Sequence, residues 1–489
     1  MSTAQIAGPA LAARSGSGTW SADRALPEGA RETGLQQILD DSDRREKFVP
    51  ITRQALVERL TREYAWPENE AQHARRLFRY LDYWRRQTYN ARLLALENNY
   101  EPFSPDTDLL ITRKFSSAER DTMQRHLVEQ VCELLVQANY KRIQPNDVQF
   151  ILTPDSHYGL NLEVDLAAFD ELVIFYRGAT KRKESKRNIK RLFLSRQQFD
   201  VPIFQRLFIM FKLKPEEKRI AEIMAERTCD REAAERQYKR LRTVLPPQIK
   251  TEFVYLKLFK NIPRTDLEMI FPNTRVRFRL FDKLKLGVTT SSSIGMGVVG
   301  AVGKVAVATN PVALAGAMVG LGGIALRQAM NFINQKNRYM VTMAQNLYFH
   351  AMADNRGVMI LLADRAADED VKEEMLLYSV LAKETVRRHE LPKVDAAVEQ
   401  YLLNTFGVDL NFDLEDALGR LMQDGLVTEL ADGTLRTLAP AVAAARLDTL
   451  WDQYLDQLAD QAAAEGGEFD FEPDQPLGQG ARSPNGQAA

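Results

Sequence analysis

Cysteine is nearly absent from this chain: Cys132 and Cys229 are the only two in 489 residues. They lie far apart in charged sequence, so neither a disulfide framework nor a zinc-ligand spacing is open to them. Both read as free thiols of a reducing compartment. Histidine is scarce too. His73, His126, His157, His350 and His389 stand singly, and none has a partner at the spacing of an H-E-x-x-H metal helix. Neither charge is in excess, since 65 Lys and Arg oppose 66 Asp and Glu. That balance excludes a chain-wide pull toward nucleic acid and leaves the matter to local charge. Residues 1–20, rich in Ala, Ser and Gly, lack the apolar core of a secretory signal.

The most informative absence is of acid. Between Lys283 and Ala353 there is no Asp or Glu. Inside this run, Leu286–Gly303 and Val305–Leu326 carry no charge at all, and Asn310-Pro311 stands between them as a turn signal. Two arms of about 20 apolar residues suffice to cross a bilayer. The expectation is a transmembrane helical hairpin over 286–333, with Gly287, Gly295, Gly303, Pro311, Gly316 and Gly320 as membrane-spanning positions. Small residues at spacing four (Gly287, Ser291 and Gly295; Gly316 and Gly320) suit close helix pairing and a homo-oligomer through the hairpin. Arg275, Arg277, Arg279, Lys283 and Lys285 precede the arms, and Arg327, Lys336 and Arg338 follow. That asymmetry places both outer ends on the cytoplasmic side. Against spanning stand the modest hydrophobicity of the first arm and Lys304 near its end. The competing reading is a buried Gly-rich pair or a re-entrant segment.

Around this run the patterning predicts an α+β multidomain protein. Residues 1–46 read as a disordered leader and 461–489 as a disordered tail. Apolar residues at helical spacing in 52–64, 70–99 and 117–138 mark a helical N-terminal unit, 47–145, with Arg and Glu on its outer face. Strand-like runs such as Glu171–Tyr176, Gln205–Lys214 and Thr251–Phe259, interrupted by a helix over Glu216–Arg242, make 146–285 a mixed α+β middle domain. A helical segment fills 334–390. The last unit, 391–460, resembles a winged helix: a helix to Phe406, a short strand Val408–Phe412, a helix Leu414–Gln423, and two strands about Asp432-Gly433.

Catalytic motifs do not survive their context. Gly295-Met296-Gly297-Val298-Val299-Gly300 has the letters of a dinucleotide fingerprint, but Ser291-Ser292-Ser293 precedes it and position 320 is glycine rather than an acid. No cofactor is expected. His350, Asp354, Asn355 and Arg356 form the compact polar group that an enzyme reading would need. The segment Arg177–Arg196 is a true concentration of charge, with Lys181, Arg182, Lys183, Lys186, Arg187, Lys190 and Arg191 against Glu184. Those seven cations are candidate lipid-headgroup contacts. The helix before the C-terminal wing has Asp413, Glu415, Asp416 and Asp424 around Arg420. Repulsion from phosphate argues against DNA reading there and for a protein-binding wing.

Several phrases together resemble the transmembrane protein 143 family, whose members share a domain of unknown function numbered 3754. They are Phe175-Tyr176-Arg177-Gly178, then Tyr255–Pro263, Asp266–Asn273, Gln345–His350 and Asp354–Gly357. The resemblance runs from about Lys47 to Leu458. It implies a membrane protein without an assigned activity, mitochondrial in eukaryotes; the Ala/Arg-rich composition favours a bacterial inner membrane. The expected function is a scaffold or adaptor at the cytoplasmic membrane face, with membrane lipid and a protein as partners and nucleic acid not favoured. The alternatives are an uncharacterised enzyme or a nucleic-acid-binding tethered protein.

Overall fold

The structure, a computed structural model, describes residues 45–62, 66–106, 114–143, 161–187, 196–243, 245–263, 267, 270–272, 274–277, 341 and 348–464. The helices are α1 (Arg53–Leu60), α2 (Glu68–Tyr100), α3 (Ser117–Gln137), α4 (Glu216–Arg227), α5 (Arg231–Arg242), α6 (Asn355–Leu381), α7 (Leu391–Phe406), α8 (Leu414–Gln423) and α9 (Pro440–Ala464). The strands are β1 (Lys141–Arg142), β2 (Asn161–Val164), β3 (Phe169–Arg187), β4 (Arg196–Leu213), β5 (Val254–Pro263), β6 (Thr274–Arg277), β7 (Ala351–Asp354), β8 (Val386–Arg387), β9 (Val427–Glu429) and β10 (Thr434–Thr437).

An antiparallel five-stranded sheet of order β1-β3-β4-β5-β7 forms the centre. Successive side chains of a strand face opposite ways, and both faces are covered. Val173, Phe175, Phe208, Met210, Leu256 and Leu258 pack on one side against α3 and parts of α2 and α6. Leu172, Ile174, Tyr176, Leu207, Ile209 and Phe211 pack on the other with Phe169 and Phe271. Burial on both faces explains why the strands read as unbroken apolar runs. A second core joins the first half of α2, the second half of α6, and α7, α8 and α9.

Two long helices therefore cross from one core to the other. On α2, Leu77, Phe78 and Leu81 belong to the C-terminal core and Tyr89, Leu96 and Tyr100 to the sheet core. On α6 the order is reversed, with Val358 to Ala367 in the sheet core and Val371 to Leu381 in the other. The extended segment 45–51 is tied to α6: Glu369 accepts from the Val49 amide at 2.8 Å, and buried Lys372 donates to the Val49 carbonyl at 2.6 Å.

The membrane expectation is corrected here. Among the described residues no helix is long and apolar enough to cross a membrane, so the membrane fold class, the transmembrane helix and the inner-membrane or mitochondrial-membrane location do not stand. The physical reason is charge: α2, α6 and α9 are 33, 27 and 25 residues long, but ionisable residues recur along all three. The proposed hairpin, 286–333, with Gly287, Gly295, Gly303, Pro311, Gly316 and Gly320, lies outside the described residues. Other differences are local. The helix expected over Glu216–Arg242 is two, because Thr228 turns left-handed (φ 48°) and the Asp230 side chain caps α5. Val408–Phe412 is not a strand; its amides at Asn411 and Phe412 bond Glu46 and Glu399 instead.

Candidate functional site

Where α2 and α6 pass between the cores, their apolar stripes are broken by charge. Arg85 stands four residues from both Leu81 and Tyr89, and Asp370, Glu373 and Glu374 continue the line of Met359, Ala363, Ala366 and Ala367 toward Leu377. The i, i+3, i+4 spacing turns these charges inward, contrary to the expectation that Arg fills the outer face of the N-terminal helices. Arg420 on α8 closes the group. Its Nε donates to Glu374 at 2.7 Å, Nη2 to Glu373 at 2.6 Å, and Nη1 faces Asp370 at 3.2 Å and also bonds Asp416. Arg85 donates to Glu374 at 2.7 Å and to Asp424. Tyr89 donates to Asp370 at 2.8 Å, and Trp84 to Asp424 at 3.1 Å.

Five carboxylates thus face two guanidinium groups. Burial pushes Glu373 up to about 8 and Glu374 to about 7 against the pull of the arginines, and raises Asp370 in the same direction. Glu374 Oε2 is buried with no hydrogen-bond partner among the described residues, which further disfavours its anion. Oxygens of Asp370, Glu373 and Asp416 lie within 4.8 Å of one another, a separation that a cation bridges, and the Arg420 guanidinium fills that role. The layer is a clamp that registers α2, α6 and α8. It also takes up two of the acids around α8, Asp416 on Arg420 and Asp424 on Arg85, while Asp413 and Glu415 pair with Lys47 and Arg388.

The second charged feature is the run from Arg177. Arg177 itself is buried, with its guanidinium over the rings of Phe48 (4.8 Å) and Tyr140 (5.1 Å), and donates to the Ala138 carbonyl at 3.2 Å. Beyond it, β3 and β4 outrun the sheet. Pairing of β4 with β5 ends at Ile203↔Pro263, while pairing of β3 with β4 continues through Lys181↔Pro202, Arg182↔Val201, Lys183↔Asp200 and Lys186↔Gln197 to Arg187↔Arg196. Lys181, Arg182, Lys183, Lys186 and Arg187 therefore stand on a two-stranded ribbon that has no third strand among the described residues. Lys190 and Arg191 lie outside the described residues.

The polar group His350, Asp354, Asn355 and Arg356 does not converge on a pocket. His350 Nδ1 is 2.7 Å from the Lys260 carbonyl, Asp354 pairs with Lys257 at 2.9 Å, and Arg356 grips Glu97 at 2.8 and 2.9 Å. Asn355, with φ 45°, donates to Asp106 at 3.1 Å and accepts from the Leu256 amide at 3.4 Å. These contacts bind the start of α6 to the sheet and to α2.

Fold and site together define a mixed helix-and-sheet protein in which a charged layer joins two cores and a basic ribbon extends from the sheet. The family described as Protein of unknown function (DUF3754) matches over residues 169–357. The match opens on the first residue of β3 and closes in the first turn of α6, so this stretch carries a domain of unknown function. The ribbon falls inside it, and the ionic layer falls outside. No solved structure matches the chain.

Proposed function

We propose that this protein is an adaptor whose basic ribbon receives an extended acidic segment of a protein partner. The carrying observation is that β3 and β4 continue beyond β5 with five cations on β3 and, at the end, Arg187 directly across from Arg196. The register also sets Lys183 across from Asp200, so the ribbon keeps a net positive charge that an acidic strand laid along either edge meets. The edge backbone meanwhile supplies the hydrogen bonds of strand addition. Cations on such an edge also discourage apolar strands, so the same residues favour an acidic partner and exclude others. The ordered phrases from Phe175 to Gly357 support grouping the chain with the transmembrane protein 143 family, which has no assigned activity. We read 391–440 as a winged-helix-like bracket, because α8 faces α6 through Arg420.

The test uses a fluorescent peptide of alternating Glu and Val with the full-length chain. Replacing Lys181, Lys183, Lys186 and Arg187 together by Gln is expected to weaken binding roughly tenfold or more, with the wild-type affinity falling as salt rises. Equal binding by wild type and variant sinks the reading. Tighter binding of single-stranded RNA to the same residues transfers it to nucleic acid.

A further inference from the structure

At the end of the sheet where β4 passes into α4 there is a cleft, remote in sequence from the ionic layer. It is small, with about 30 Å³ open to water-sized groups. Lys214, Arg219 and Arg242 line it beside a single acid, Asp165, and Tyr238 and Thr251 bring hydroxyl groups. Lys214 is committed, because its Nζ holds both oxygens of Glu222 at 2.7 and 2.8 Å. The other two cations are not fully used.

Arg219 is 7% exposed. Its Nη1 donates to Glu222 and Glu226, each at 3.1 Å, and Nη2 lies 3.6 Å from Asp165. Its Nε is buried and meets no acceptor among the described residues. Arg242 donates through Nη2 to the Ile249 carbonyl, forms no ion pair among the described residues, and leaves Nη1 buried without an acceptor. Buried charged donors with nothing to donate to are costly, so such groups normally meet water or a ligand. Two of them on the wall of one cleft are a coincidence that a ligand explains. The last turn of a helix attracts cations by itself, but that attraction does not require Arg242 to turn inward with an idle N–H.

We propose that this cleft binds a phosphate group, with Arg219 Nε and Arg242 Nη1 as its primary donors and the hydroxyls of Tyr238 and Thr251 as the others. A tetrahedral oxyanion presents acceptors on all sides and so meets two guanidinium edges and two hydroxyls at once. A planar carboxylate offers only two oxygens to a guanidinium fork. Both idle N–H groups are buried behind the wall of the cleft, so a phosphate meets them only when the guanidinium ends move. Free phosphate and an organic phosphate ester share this chemistry, and the ester adds apolar contact with Leu213, Leu241 and Leu245 at the wall.

Calorimetric titration of the full-length chain with inorganic phosphate, beside acetate and chloride at matched ionic strength, tests the site. Saturable heat from phosphate alone is expected, with glycerol phosphate added to separate the ester from the free ion. Arg242→Gln is expected to weaken binding roughly tenfold or more, the loss of one charge-assisted hydrogen bond. Thr251→Val, which keeps every charge, is expected to weaken it severalfold with an unchanged circular dichroism spectrum. The four-residue Gln variant of the ribbon is expected to bind phosphate as wild type does. Phosphate heat no greater than that of acetate overturns the proposal, as does phosphate affinity unchanged in both cleft variants.

Discussion

Glu373 and Glu374 occupy positions on α6 where the helical spacing asks for apolar side chains, and their buried surroundings make the fold sensitive to pH. A buried carboxyl whose value is raised on folding binds a proton that the unfolded chain has released. Stability therefore falls as pH rises between the two values. For Glu373 that window runs from the ordinary 4.5 to about 8, and for Glu374 from 4.5 to about 7. Urea unfolding is expected to show stability declining from pH 5 to pH 8, and Glu373→Gln, which imitates the protonated form, is expected to decline less. Arg420→Ala removes the group shared by Asp370, Glu373, Glu374 and Asp416. Uncompensated buried charge of this kind costs about 3–5 kcal/mol, and the loss is expected to be larger at pH 8.5 than at pH 5.5. An equal loss at both pH values means that the acids are not coupled to Arg420 as the geometry requires.

Among the elements, the β3–β4 pair carries the strongest local requirement. Gly178 lies at the base of the ribbon with φ 71°, and a Cβ placed there falls 2.4 Å from Gln205 Oε1. The glutamine can move aside, but the left-handed backbone cannot be relieved that way. Gly178→Ala is expected to cost about 1–2 kcal/mol, read as a lower melting temperature, whereas Gly178→Asn, which tolerates this region better, costs less. An unchanged melting temperature for the alanine variant contradicts the backbone reading. The same scale separates what was legible from what was not. Helix starts at Ser116, whose capping box with Glu119 fixes α3, and the turn at Asp432-Gly433 are local chemistry and can be read directly. The continuity of α6 through Asp364–Asp370 cannot, because it depends on Arg85 and Arg420 arriving from far along the chain.

Across the whole molecule, the cores ignore the boundaries that composition suggests. Among the described residues of 47–145, α1 and the start of α2 pack with α7, α8 and α9, while the rest of α2 packs with the sheet. Trp84 meets Tyr454 edge-on, ring centres 5.8 Å apart. A chain ending at residue 390 is therefore expected to lose cooperative unfolding, and limited proteolysis is expected to cut first within 45–81. Resistance of that segment in the truncated chain removes the claim that the two cores depend on each other through α2.

The sequence by itself determined the apolar runs of the strands, the limits of α2, α3 and α8 within a few residues, the Asp432-Gly433 turn and the basic run after Arg177, because each depends on neighbours a few positions away. It did not reveal which charges are buried. An acid on a core stripe looks like an acid on a solvent face until its partner is known. The partners of Asp370, Glu373 and Glu374 stand at positions 85 and 420. Tertiary structure alone decided that the Arg177–Arg196 run divides into a buried first cation and a ribbon, since the end of β5 at Pro263 sets where β3 and β4 leave the sheet. It also decided that Arg219 and Arg242 share a cleft, because α4 and α5 must fold back over the end of β4 before two distant guanidinium groups can line one space.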